Sequence, residues 1–147
     1  MIKKIIKKFL IMIKKPFIKV KYINNYIYKE NLLENRTAFI TGGTSGIGLS
    51  IAKTFILNGC NVIITGRNKK KIDNVVKDLS KINKNKKVFG FEFDISKIDK
   101  IEEQFSNVKN NIDNLNIDIL VNNAGIIKGE SITKTKIDEY EDCMKTN

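Results

Sequence analysis

The run Thr41-Gly42-Gly43-Thr44-Ser45-Gly46-Ile47-Gly48 constrains this chain more than any other feature. It follows the apolar stretch Ala38-Phe39-Ile40 and opens a segment of helical periodicity. A strand, a glycine-rich turn and a helix N-terminus in that order form a phosphate-binding corner. Gly42 permits the tight turn, Gly46 lets backbone approach a pyrophosphate, and Gly48 lets the helix lie close to the sheet. Thr44, Ser45 and Ile47 complete the turn, and the helix N-terminus offers unpaired N–H groups to an anion. A glycine turn also serves plain turn geometry, so the rest of the chain decides between the two readings.

Beyond this corner, strand-like and helix-like segments alternate regularly. Strands are expected at 37–41, 61–65, 87–93 and 117–121. The first helix, 45–58, carries Ile47, Ile51 and Phe55 on one face and stops at Gly59. The second carries Ile72, Val75, Val76, Leu79 and Ile82, the third Ile98, Ile101, Phe105, Val108 and Ile112, and the last Ile137, Tyr140 and Met144. Such βα units imply an α/β fold, a Rossmann-type doubly wound parallel sheet of order 3-2-1-4. Its ligand crevice lies at the carboxyl ends of strands 1 and 4, where the winding reverses. The turns at that edge, including Gly66-Arg67-Asn68, Asp94-Ile95-Ser96 and Asn122-Asn123-Ala124-Gly125, are all polar or small.

Charge divides the chain in two. Residues 1–29 hold nine Lys and no acid, whereas 30–147 hold 18 basic and 16 acidic residues. The overall +11 therefore belongs to a basic arm (residues 1–30) preceding the domain at 31–147, and it gives no footing to a nucleic-acid partner. Within the arm, Ile2, Ile5, Ile6, Phe9, Leu10 and Ile13 fall on one side of a helix that Pro16 ends. Residues 1–15 can contact an anionic membrane surface, pack on the domain, or form a plain extension. No apolar run is long enough to span a bilayer. With no His and two separated cysteines, a metal site and a secretory disulfide framework are not expected, which favours a cytoplasmic setting, peripheral to the membrane if the arm binds it.

From about Leu32 onward the residues resemble the classical short-chain dehydrogenase/reductase family. Thr41-Gly42-x-x-x-Gly46-x-Gly48 is similar to its cofactor motif, Asn122-Asn123-Ala124-Gly125 to its second motif, and Asp94-Ile95 to its Asp-apolar pair. The resemblance implies that the glycine turn holds a pyrophosphate and that Asp94 and Ile95 lie against adenine. It implies that Asn122, Ala124 and Gly125 border the nicotinamide ribose and brace the central strand. NAD-preferring members carry an acid at the end of strand 2. Here Gly66 stands there, followed by Arg67, whose guanidinium can pair with a 2′-phosphate, so NADP(H) is expected over NAD(H). The alternative for Arg67 is simple continuation of the solvated run Lys69-Lys70-Lys71.

The resemblance further implies a catalytic Asn, Ser, Tyr and Lys acting on a small carbonyl or alcohol substrate in a homo-oligomer. Asn147 fits the Asn, and no Tyr-x-x-x-Lys lies within these residues. The chain thus reads as an amino-terminal part, truncated after strand 4 and its following helix, marginally stable and inactive by itself. A non-catalytic nucleotide-binding module is the alternative of another class.

Overall fold

A computed structural model of the chain describes residues 31–127 and 134–147. The basic arm, and the helix and membrane contact expected of it, lie outside the described residues. Four parallel strands form one sheet: β1 (Thr37–Ile40), β2 (Asn61–Gly66), β3 (Val88–Glu92) and β4 (Ile119–Val121), in the order β3-β2-β1-β4. Four α-helices alternate with them: α1 (Gly46–Leu57), α2 (Lys69–Leu79), α3 (Ile101–Asn110) and α4 (Ile137–Thr146).

Each central strand is apolar without interruption because helices cover both its faces. Alternate side chains then enter two different cores. Ala38, Ile40, Val62 and Ile64 meet Ala52 and Ile56 of α1 and Leu79 of α2 on one face. Phe39 and Ile63 meet Phe93 and Val108 on the other, under α3. After β3 the chain crosses this second face and returns beside β1 as β4. The carboxyl ends of β1 and β4 are therefore the point where the winding direction changes.

Three elements differ from their sequence-based expectation. The buried stripe of α1 is Gly48, Ala52 and Ile56, with Ile51 and Phe55 only partly covered and Ile47 exposed. Small residues at 48 and 52 let the helix settle close to the sheet, which turns Ile47 outward. The third helix is interrupted: Ile98–Lys100 is a 3-10 turn, and Ile98 is exposed. Only the far half of α3 reaches the core, through Val108, while Phe105 meets the rim of Phe39 edge-on.

The fourth strand is shorter than expected, starting at Ile119. Just before it, Asp118 turns its carboxylate to the start of β1, accepting from Thr37 N–H and Arg36 Nη1, both at 2.9 Å. The Thr37 amide, then the Arg36 guanidinium, hold this carboxyl below its ordinary range. At the same end of the sheet Cys60 is buried and its thiol is pushed up to about 11 by burial, which makes it packing rather than chemistry. Among the described residues no helix is long and apolar enough to cross a membrane.

Candidate functional site

The carboxyl ends of the strands surround a crevice of about 750 Å³. The glycine turn forms its floor. Gly42 and Gly46 both adopt positive φ (66° and 54°), and a Cβ placed at Gly46 would meet only open space. Ser45, the N-cap of α1, makes no side-chain capping bond, and the first turn of α1 holds no acid. Helix N–H groups are thus free to serve an anion beside Gly46 and Ile47, which line the crevice with Gly42, Thr44 and Ser45. Gly48 does not line it. A Cβ there would overlap Asn123 Nδ2 and come within 2.6 Å of the Gly42 carbonyl oxygen, so this glycine permits the two turns to touch.

The contact between those turns is built on Thr41 and Asn123. The Thr41 hydroxyl accepts the N–H groups of Asn123 (2.9 Å) and Ala124 (3.0 Å) and donates to Val121 O (3.3 Å). Asn123 Nδ2 donates to Thr41 O at 2.9 Å and to Gly42 O at 3.3 Å. The bracing role expected of Asn122 therefore falls to its neighbour. Asn123 continues the alternation of Ile119 and Val121, which pack on the α1 side, whereas Asn122 is exposed and stands off the crevice. Asn123, Ala124 and Gly125 form the wall.

Asn147 does not line the crevice, although Thr146 does. Its side chain clamps the loop after β4: Ile126 N–H donates to Oδ1 at 2.8 Å, and Nδ2 donates to Ile126 O at 3.0 Å. A Cβ on Gly125 would come within 3.1 Å of Asn147 Oδ1.

The opposite end of the crevice is charged. Arg67 lines it, with Asn68 and Lys71 from the start of α2. Asn68 caps that helix by accepting Lys71 N–H at 3.0 Å. At Gly66 a Cβ would lie 2.9 Å from Thr44 Cγ2, which leaves no room for a carboxylate side chain at this point without displacing Thr44.

Asp94 and Ile95 also line the crevice, with Arg67 near enough to act on the Asp94 carboxylate. Burial pushes the Asp94 carboxyl up, but hydrogen bonds from the Ser96 hydroxyl and amide, with Arg67 and Lys97 nearby, outweigh it and hold it below the usual range. Both Ser96 bonds reach Oδ1 (2.8 and 3.1 Å), and Oδ2 takes no hydrogen bond among the described residues. The site thus joins a helix N-terminus, an open glycine, a guanidinium and an ionised carboxylate with one unused oxygen.

The motifs include Thr41 and Asn123 without giving either a task, and the sequence alone gives Asn68 and Lys71 no place in the site. Helix-start chemistry at Asn68 points to Lys71 three residues on. Strand alternation points to Asn123.

The sequence model of the family described as short chain dehydrogenase matches residues 36–147. The 3-oxoacyl-acyl-carrier-protein reductase FabG of Chlamydia trachomatis is 36% identical over 116 residues, covering 79% of this chain and 46% of that protein. The structure of L-sorbose reductase from Gluconobacter frateurii complexed with NADPH and L-sorbose superposes with a TM-score of 0.64 at 26% identity, over 74% of this chain and 40% of that one. The 3-oxoacyl-acyl-carrier-protein reductase from Brucella melitensis in complex with NAD gives 0.65 at 28% identity, over 75% and 42%. The chain spans about half the length of the curated relatives it matches.

Proposed function

This chain belongs to the short-chain dehydrogenase/reductase family, and from that premise we propose that its crevice holds NADP(H) for hydride transfer between the nicotinamide and a carbonyl or alcohol substrate. The observation that carries the reading is the arrangement of Gly66, Thr44 and Arg67 at the end of β2. A carboxylate at position 66, which would favour a ribose 2′-OH, would have to displace the Thr44 side chain, and a guanidinium follows at once. Bidentate pairing with a 2′-phosphate is the chemistry a guanidinium does best. One similar structure holds NADPH and another NAD, so the preference rests on this chain's own residues.

The remaining assignments follow the crevice from end to end. The open Gly46 and the uncapped start of α1 receive the pyrophosphate. Asp94 Oδ2 accepts from the adenine amino group, with Ile95 against the ring. Ala124 and Gly125 border the nicotinamide ribose, and Gly48 and Asn123 keep the two turns together. Asn147, read as the Asn of the catalytic set, holds the loop beside that ribose through Ile126. When bound, the cofactor supplies or accepts the hydride. The resemblance assigns proton transfer at the substrate oxygen to a Tyr-x-x-x-Lys, and these residues contain none. The 147 residues by themselves are therefore expected to bind nucleotide without turning substrate over.

Equilibrium binding of NADPH and NADH to the unaltered chain and to Arg67→Ala tests the reading. A charge-assisted hydrogen-bonded pair contributes about 1.5–3 kcal/mol, so the variant should lose roughly 10- to 150-fold for NADPH and little for NADH. An equal loss for both nucleotides removes the 2′-phosphate assignment.

A further inference from the structure

Asp94 lies where edge strand β3 runs out of partners. Phe93 still turns its N–H inward, donating to Gly66 O at 2.8 Å. The backbone groups of the next residue in a parallel strand point the opposite way, and β3 has no neighbour on that side. One side chain from α3 meets both of them: Asp94 N–H donates to Gln104 Oε1 at 2.6 Å, and Gln104 Nε2 donates to Asp94 O at 3.3 Å. A primary amide suits this place because it carries a donor and an acceptor side by side. Asp94 O also accepts Lys97 N–H at 3.2 Å, so it is the Asp94 amide that has Gln104 as its one partner among the described residues, and there Gln104 imitates one residue of a missing strand.

We propose that Gln104 is a positioning residue for purine selection: it fixes the Asp94 backbone so that Oδ2 faces a 6-amino group and rejects a 6-oxo group. The inference rests on the nucleotide reading of the crevice. Three on-site features support it. Ser96 occupies Oδ1 twice and leaves Oδ2 without a partner among the described residues. Phe93 and Ile95 supply apolar crevice wall on either side of Asp94 in sequence, where a ring can lie. An ionised carboxylate accepts from an amino group and repels a carbonyl oxygen, so its aim decides the discrimination.

The test compares NADPH with its hypoxanthine analogue, reduced nicotinamide hypoxanthine dinucleotide phosphate, on the full 147-residue chain. The unaltered chain should prefer NADPH by roughly 10- to 150-fold, the size of one charge-assisted hydrogen bond. Gln104→Met keeps the side-chain length without polar atoms and should bring the ratio close to unity. Gln104→Glu keeps an acceptor for the Asp94 amide, lacks the donor, and should fall between.

A Gln104→Met variant that keeps the full ratio while its thermal midpoint falls makes Gln104 merely structural and overturns the proposal. If Gln104→Met does not fold, the ratio in Gln104→Glu decides in the same way. No purine preference in the unaltered chain also overturns it, with nucleotide binding left standing. Failure of the unaltered chain to bind either nucleotide removes the crevice reading and this inference with it.

Discussion

Thr41 concentrates more of the site's geometry in one oxygen than any other described residue. Its buried hydroxyl takes two backbone N–H groups from the loop after β4 and gives its proton to Val121 O. Replacing it with Val keeps the shape and removes the acceptor, which leaves both amides without a partner in a part-buried place. Each orphaned group costs about 1–3 kcal/mol, so Thr41→Val should lose on the order of 2–6 kcal/mol in urea unfolding, and Thr41→Ser should keep most of it. Asp118 does comparable work at the other end of the sheet, and there the reporter is pH. Its carboxyl lies below its ordinary range in the folded state because Thr37 N–H and Arg36 favour the charged form. Its contribution is therefore complete above the unfolded value of about 3.9 and is lost as pH falls through the folded value. The stability gap between the unaltered chain and Asp118→Ala should be open at neutral pH and close on acidification, read from unfolding midpoints across that range. A gap independent of pH would assign the effect to packing instead.

At the scale of the element, the two glycines at the start of α1 have opposite reasons to be glycine. Gly46 needs its positive φ and meets nothing, whereas Gly48 is helical and has no room. An alanine in a helix interior is ordinarily favourable by up to about 1 kcal/mol over glycine. At position 48 the added methyl would instead force Asn123 and the Gly42 carbonyl apart, and overpacking of that kind costs about 1–3 kcal/mol. Gly48→Ala should therefore destabilise the chain and weaken nucleotide binding. Gly46→Ala should carry only the left-handed penalty of about 1–2 kcal/mol and act mainly on binding, where its methyl enters the space left for a phosphate. Denaturation and nucleotide titration on the same two variants separate these outcomes. The sequence announces both glycines through one spacing, but it cannot tell which is open and which is crowded. That difference arises from Asn123, which comes from the loop after β4, far along the chain. The same limit governs α1, whose buried stripe the apolar spacing misplaced by one position because glycine and alanine at 48 and 52 make the close face. Strands β1 and β2 were legible to within one residue at their carboxyl ends, since burial on both faces writes an unbroken apolar run. Gln104 was not legible at all, because only the open edge of β3 gives its amide a task.

Across the whole molecule, stability should fall away from the β1–β2 centre toward α4. The central strands are lined by side chains with no exposed surface, among them Ile40, Val62, Ile63 and Ile64. Helix α4 has no buried residue, and Ile137, Tyr140 and Met144 along one side of it are 76%, 61% and 65% exposed. A ten-residue helix without a packed face is marginal in water. Its described contacts include local ones, in which Glu139 accepts the Lys136 N–H and Lys145 pairs with Glu141, and a longer-range one, in which Asn147 grips the Ile126 backbone. Exposed ion pairs of this kind contribute about 0.3–0.5 kcal/mol, far less than one buried strand residue. Hydrogen exchange should accordingly show amides of β1 and β2 opening only with global unfolding, and those of α4 exchanging through local opening at a much lower free energy. Asn147→Ala should speed exchange at Ile126 and along α4 while leaving the β2 amides unchanged. Protection of α4 equal to that of β2 would mean that its apolar side is covered in solution, by another copy of the chain or by residues outside those described. Dilution distinguishes these, since only coverage by a second copy depends on concentration.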